Sequence, residues 1–138
     1  MTDWTDFKLK GLFRYRGHVI RVIDGDTVEV RIDLGFDVYT NQKMRLYGID
    51  APEMRGDEKL AGRAAAAHLI GLIQEHSVNS GNDVLPEETL SELYVSTLKD
   101  KTGKYGRYLG YLIGYDKESR SFVNLNERMV SDGFAVEK

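Results

Sequence analysis

The chain has 138 residues, 41% of them apolar and 30% charged, a length that suits one domain and a mix that excludes a disordered chain. It contains no cysteine, so disulfides, thiolate metal sites and cysteine nucleophiles are excluded together. Nineteen Lys and Arg against 22 Asp and Glu leave a net charge of −3, which argues against indiscriminate duplex binding, an affinity that comes largely from phosphate neutralisation.

The first half reads as strands. Leu12 to Ile23 is rich in β-branched and aromatic residues, and Thr27 to Asp33 alternates Val28, Val30 and Ile32 with Glu29, Arg31 and Asp33. Asp24-Gly25-Asp26 between them is a tight-turn signature, so the two runs form a hairpin. A third strand is expected over about Val38 to Ile49, stopped by Pro52. The period then changes. Asp57 is expected to cap a helix running to about Glu75, with Leu60, Ala64, Ala67, Ile70 and Ile73 on its apolar face. The longest apolar run, 64–73, falls inside this helix and is too short for a membrane span of roughly 20 residues. Residues 77–90 are polar and turn-rich and read as an inserted surface loop. Strands follow over about Glu92 to Lys99 and Tyr105 to Tyr115, with Asp100 to Gly103 turning between them. Asn124 and Glu127 make a capping box for a short helix that ends near Gly133.

Three strands, a helix, two strands and a helix is the order of a small Greek-key barrel of the OB type, α+β but mainly β. We expect one domain over 1–138, with 1–10 as an N-terminal extension. The N-terminal residues have no basic-then-apolar signal layout, so an intracellular protein is expected.

Three charged clusters fall at element ends. In the first, Asp24-Gly25-Asp26-Thr27, a turn carboxylate can face out as a hard-cation ligand, although Asp-Gly is also an ordinary hairpin turn. The second, running from Arg45 through Asp50-Ala51-Pro52-Glu53, brings an arginine into a turn with two acids. It reads as a helix-approach loop or as a phosphoryl site, with one acid for a metal, one for a water and a bidentate guanidinium for phosphate. The third, Asp100 to Arg107, is a solvated hairpin end or a phosphate contact in which Lys104 supplies a point charge, Tyr105 a hydroxyl and Arg107 a fork.

Ile-Asp-Gly-Asp-Thr, then Arg-x4-Asp-Ala-Pro-Glu, then Lys-Tyr-Gly-Arg, in that order and with a helix between the second and third, closely resembles the staphylococcal nuclease (thermonuclease) family from about Leu12 to Val136. The resemblance implies a five-stranded OB barrel that hydrolyses phosphodiester bonds of DNA and RNA with calcium, acting as an endonuclease on single-stranded or flexible substrate. Position by position, it implies Asp26 and Asp50 as calcium carboxylates and Ala51 as the donor of a main-chain carbonyl. Glu53 matches the acid that activates or orients the attacking water. Arg45 and Arg107 match the pair that grips the scissile phosphate, and Lys104 and Tyr105 contact a neighbouring phosphate. Asp24 matches an acid that supports the metal site. The spacing from Thr27 to Arg45 implies a longer second hairpin than in the type enzyme, and the sequence ends at Lys138, before that enzyme's third helix. A monomer is expected, though a protein partner is compatible with the sequence. The competing reading is a non-catalytic OB module that binds nucleic acid or protein. Retention of Asp26, Arg45, Asp50, Glu53 and Arg107 favours the enzyme.

His18, His68 and His76 share no zinc-site spacing and read as structural residues. Lys8, Lys10, Arg14, Arg16 and Arg21 read as a solvated strand face.

Overall fold

A computed structural model of the chain describes residues 13–77, 92–102 and 108–138. The proposed extension over 1–10 and nearly all of the proposed insertion over 77–90 lie outside these residues, as do Lys104, Tyr105 and Arg107.

Strand β1 (Phe13–Asp24) pairs antiparallel with β2 (Thr27–Asp33) on one side and with β5 (Glu92–Thr102) on the other. β2 pairs with β3 (Tyr39–Leu46), and β5 pairs with β6 (Tyr108–Asp116). A parallel pairing of β3 with β6, Arg45 opposite Leu109, closes these five strands into a barrel. Register shifts in β1 after Val19 and after Val22 mark irregularities of the kind that bend a strand and increase its twist, as closure requires. The inward set is the alternating apolar one: Val28, Val30 and Ile32 of β2 meet Val19, Met44, Leu46, Leu93, Val95 and Leu112. This is the OB-type barrel with two helices that the sequence predicts. The Asp24–Thr27 hairpin is present as expected, closed by Gly25 and Asp26.

Several elements differ from expectation. The third strand stops at Leu46, because Gly48 turns the chain with φ +82, and only Ile49–Asp50 resume extended structure as β4. β4 pairs with β8 (Val136–Glu137) in a separate two-stranded ribbon. β5 continues to Thr102 instead of turning at Asp100. A short strand β7 (Ser121–Asn124), unforeseen in the sequence, adds to β6.

Helix α1 (Lys59–Glu75) follows a 3-10 turn at Gly56–Glu58 and has no side-chain cap, so Asp57 is not a capping residue. Its buried stripe is Gly62, Ala65, Ala66, Leu69, Leu72 and Ile73, at i, i+3, i+4 spacing. Leu60 is 81% exposed, and Ala64 and Ala67 also face solvent, so the helix is rotated from the expected face. Small residues explain the rotation. An added β-carbon on Gly25 would meet the β-carbons of Ala65 at 2.7 Å and Ala51 at 3.0 Å, so the β1–β2 turn seats directly on the helix. Only a stripe of Gly and Ala admits that approach.

Helix α2 (Leu125–Ser131) carries the predicted cap: Asn124 Oδ1 accepts from the Glu127 amide at 3.3 Å. It ends in a Schellman arrangement with Gly133 at φ +85, the Phe134 amide reaching Met129 O and the Gly133 amide reaching Val130 O. The buried Asn126 fastens α2 to the barrel, donating to Tyr47 O at 2.9 Å and Gly110 O at 3.0 Å while accepting from the Leu112 amide at 3.2 Å. Among the described residues no helix is long and apolar enough to cross a membrane.

Candidate active site

The end of the β1–β2 hairpin, the end of β3 and the loop 50–55 meet around an open cleft of about 670 Å³. Its charged lining is Asp24, Asp26, Asp50 and Glu53 against Lys43, Arg45 and Arg55. The first two sequence clusters are therefore brought together in space, as expected from their placement at element ends.

Asp26 is the centre of the arrangement and is only 6% exposed. Its Oδ1 accepts from Thr27 Oγ1 at 2.9 Å, and its Oδ2 accepts from the Ala51 amide at 2.9 Å. Its own carbonyl accepts from the Leu46 amide at 2.7 Å, which joins the turn to the end of β3. A carboxylate with this many donors tolerates burial, whereas an isolated one would not. Arg45 reaches across from β3. One guanidinium nitrogen lies 3.3 Å from Asp26 Oδ2, 3.2 Å from Ile49 O and 2.8 Å from Asp50 Oδ1. Two carboxylates from separate segments thus converge on a single positive nitrogen.

Asp50 and Glu53 stand further out, with side chains 56% and 64% exposed. The Glu53 amide donates to Glu58 Oε2 at 3.2 Å, which ties the loop to the start of α1. Arg55 lies 3.7 Å from Glu53 Oε2, an exposed pair of little energetic weight. Asp24 accepts from the Met54 amide at 3.3 Å. Partial burial, with the carboxylates of Asp26 and Glu53 nearby, holds the Asp24 carboxyl above its ordinary value, while the Met54 amide and Arg55 pull the other way.

The sequence reading missed Lys43, Met54 and Arg55. Lys43 had a signal: it lies two residues before Arg45 on a strand and so shares its face. Arg55 had none, because it occupies an irregular loop.

Among the described residues no three His, Cys, Asp or Glu side chains form a metal cluster. The oxygens that converge on the Arg45 nitrogen are one each from the Asp26 and Asp50 carboxylates and the Ile49 carbonyl, all of them hard donors. That set fits calcium, which mixes carboxylate, carbonyl and water oxygens, and the shared Arg45 nitrogen marks a point that both acids already address with their negative charge. Two of the histidines make contacts within the fold: His76 Nδ1 lies 2.8 Å from Leu72 O, and His68 Nε2 lies 2.7 Å from Asp132 Oδ2 and stacks on Phe134. Arg16 pairs with Glu92 and Arg21 with Glu29, so these two basic residues of β1 take part in ion pairs on the sheet.

A closed OB-type barrel with an arginine and paired carboxylates at one hairpin end defines a nuclease-like OB domain. The model of the family described as staphylococcal nuclease homologue matches residues 43–138, and the chain belongs to that family. An uncharacterized protein of Methanocaldococcus jannaschii is 28% identical over 88% of this chain and 58% of its own length. Protein ParB of Escherichia coli is 34% identical over 87% of this chain and 55% of its own length. An uncharacterized protein of Bacillus anthracis is 27% identical over 94% of this chain and 50% of its own length. The chain thus spans about half the length of the curated relatives it matches.

Proposed function

We propose that this chain is a calcium-dependent nuclease that hydrolyses phosphodiester bonds in single-stranded or flexible DNA or RNA. The observation that carries the reading is the convergence of Asp26 and Asp50 on the Arg45 guanidinium beside the Glu53 carboxylate, within one cleft. Asp26, Asp50 and the Ala51 carbonyl would hold calcium, which supplies charge stabilisation to the phosphate when bound. Arg45, turning from the acids to substrate, grips two phosphate oxygens with its fork. Glu53, exposed at the rim, takes a hydrogen bond from the attacking water and aims it in line with the leaving 5′ oxygen. As the water oxygen bonds to phosphorus, its proton passes to Glu53 and the bond to the 5′ oxygen breaks, the departing alkoxide taking a proton from solvent water.

Arg107 is the proposed second guanidinium, and Lys104 and Tyr105 the contacts to a neighbouring phosphate. Arg107 directly precedes Tyr108, which pairs with Met44, the neighbour of Arg45. Flexible strands are the better substrate for an acidic chain, which has no surplus charge to neutralise a duplex. The test is cleavage of denatured DNA and of RNA with calcium or with a chelator. Degradation only in calcium supports the proposal; intact strands in both conditions leave a binding module.

A further inference from the structure

We infer that His68 of α1 is a positioning residue for Asp50, which it holds in place through the segment 132–138. The inference rests on the calcium-nuclease reading and adds to it what fixes one of the proposed metal acids.

Asp50 lies between two buried residues, Ile49 and Ala51, which pin the chain to the barrel on either side of it. The direction of the carboxylate between them depends on how β4 is paired. β4 lies outside the barrel sheet, and its ladder partner is β8, with Ile49 opposite Glu137 and Asp50 opposite Val136. The Lys138 amide adds a bond to Gly48 O at 2.9 Å. Arg45 also bonds Asp50 Oδ1 and Ile49 O, but it gives these bonds up when its guanidinium turns to phosphate. The ribbon is what then remains beside Asp50.

Such a ribbon is marginal by itself in water. Its β8 side gains little from burial, since Val136 is 63% exposed and Glu137 and Lys138 also face solvent. Its hold must come from the residues just before it, and there His68 acts twice. Its Nε2 lies 2.7 Å from Asp132 Oδ2, and its ring stacks on Phe134 with centroids 4.1 Å apart and planes 14° from parallel. A carboxylate oxygen can only accept, so Nε2 carries the proton of this bond. Arg128 reaches the same oxygen at 3.4 Å, but from within α2, so it cannot tie that helix to α1. Phe134 and Val136 in turn wall an open hollow of about 350 Å³ whose opposite side is Asp50, Ala51 and Glu53. The segment that His68 fastens is therefore a side of the site.

The same helix meets the other two acids. Gly62 abuts the Glu53 main chain, and Ala65 abuts Gly25 in the turn that carries Asp26. His68 follows at the same three-residue interval and reaches the segment that pairs with Asp50. One helix thus sets three acids from three loops against one another. His68 touches neither metal nor substrate in this arrangement and acts only through the strand it anchors.

The test breaks the bond from each side. His68→Phe keeps a ring against Phe134 and removes the donor, Asp132→Ala removes the acceptor, and His68→Gln restores a donor. Leu125, Asn126 and Met129 stay buried in every variant, so α2 should remain docked. Amide exchange is followed by NMR in metal-free protein, and calcium chloride alone is then titrated by calorimetry. In His68→Phe and Asp132→Ala the Lys138 and Ala51 amides should exchange at least about tenfold faster than in wild type, while β2 amides keep their rates. Calcium affinity should fall by about tenfold or more, as when a residue supporting a metal ligand is lost. His68→Gln should stay close to wild type in both readouts. Exchange that rises equally in β2, or calcium affinity unchanged in the two broken variants, overturns the positioning role while calcium binding still stands. A wild type that takes up no calcium overturns the calcium reading and this inference with it.

Discussion

Gly62 of α1 lies against the main chain of Glu53 so closely that a β-carbon on the glycine would overlap the Glu53 carbonyl. The helix therefore presses on the loop that presents the proposed water-directing acid. Gly62→Ala should destabilise the fold by about 1–3 kcal/mol through overpacking, and should lower kcat more than it changes KM. Among the described residues nothing lies within 4 Å of where a β-carbon on Gly71 would sit. Gly71→Ala should stabilise by about 1 kcal/mol, the helix-propensity difference. Urea unfolding of both variants checks the contrast, and equal effects would contradict it.

Arg45→Lys should reduce turnover severely although charge is preserved. Arg45 meets Asp26, Asp50 and the Ile49 carbonyl through one guanidinium nitrogen, and a lysine ammonium cannot offer two parallel bonds to phosphate oxygens. Steady-state cleavage of a labelled strand measures this, and near-normal kcat would make the arginine structural only.

Much of this site was legible because its parts sit at ends of elements with strong signals. Asp24-Gly25-Asp26 closes a two-residue hairpin that alternation on both sides predicts. The Asn124 cap and the Gly133 stop were readable for the same reason. The orientation of α1 was not. Sequence reasoning turns large apolar residues inward, which holds for Ile73, but Leu60 is in solvent while Gly62, Ala65 and Ala66 are inside, because the helix must seat on two loops of the site. That demand arises from tertiary contact and leaves no mark on periodicity. β7 and the β4–β8 ribbon were too short to carry a pattern. Lys43 was overlooked because it falls outside the motif, although strand alternation from Arg45 points to it.

Acid should loosen the contact between the two helices. The hydrogen bond from His68, with Arg128 beside it, holds the Asp132 carboxyl below its ordinary value of 3.8. A carboxyl lowered by folding contributes stability that is fully present above the unfolded value and is lost as pH falls through the folded one. The stability difference between wild type and Asp132→Asn should therefore be steady between about pH 5 and 6 and shrink below pH 3.8. His68→Ala removes the largest cause and should move that loss to higher pH. Chemical unfolding across pH measures both, and a difference that persists undiminished at the lowest pH would contradict the pairing.

Calcium should raise the melting temperature, because a ligand that binds only the folded state stabilises it by about 2.7 kcal/mol at a hundredfold excess over its Kd. Magnesium, which demands a tighter octahedron and dehydrates reluctantly, should raise it less. Equal shifts from both ions, or none from either, would contradict the proposed donor set of Asp26, Asp50 and the Ala51 carbonyl. This thermal readout is independent of cleavage.

The most direct test of the central claim compares wild type with Asp50→Ala on one labelled single strand, measuring cleavage in calcium and binding in chelator. Asp50 is half exposed and lies outside the core, so the variant should fold. The nuclease account predicts that wild type cuts the strand only in calcium. It also predicts that Asp50→Ala loses cleavage by orders of magnitude while retaining part of its binding, since one acid fewer repels the phosphate. A wild-type protein that binds the strand and leaves it whole in calcium would contradict the account.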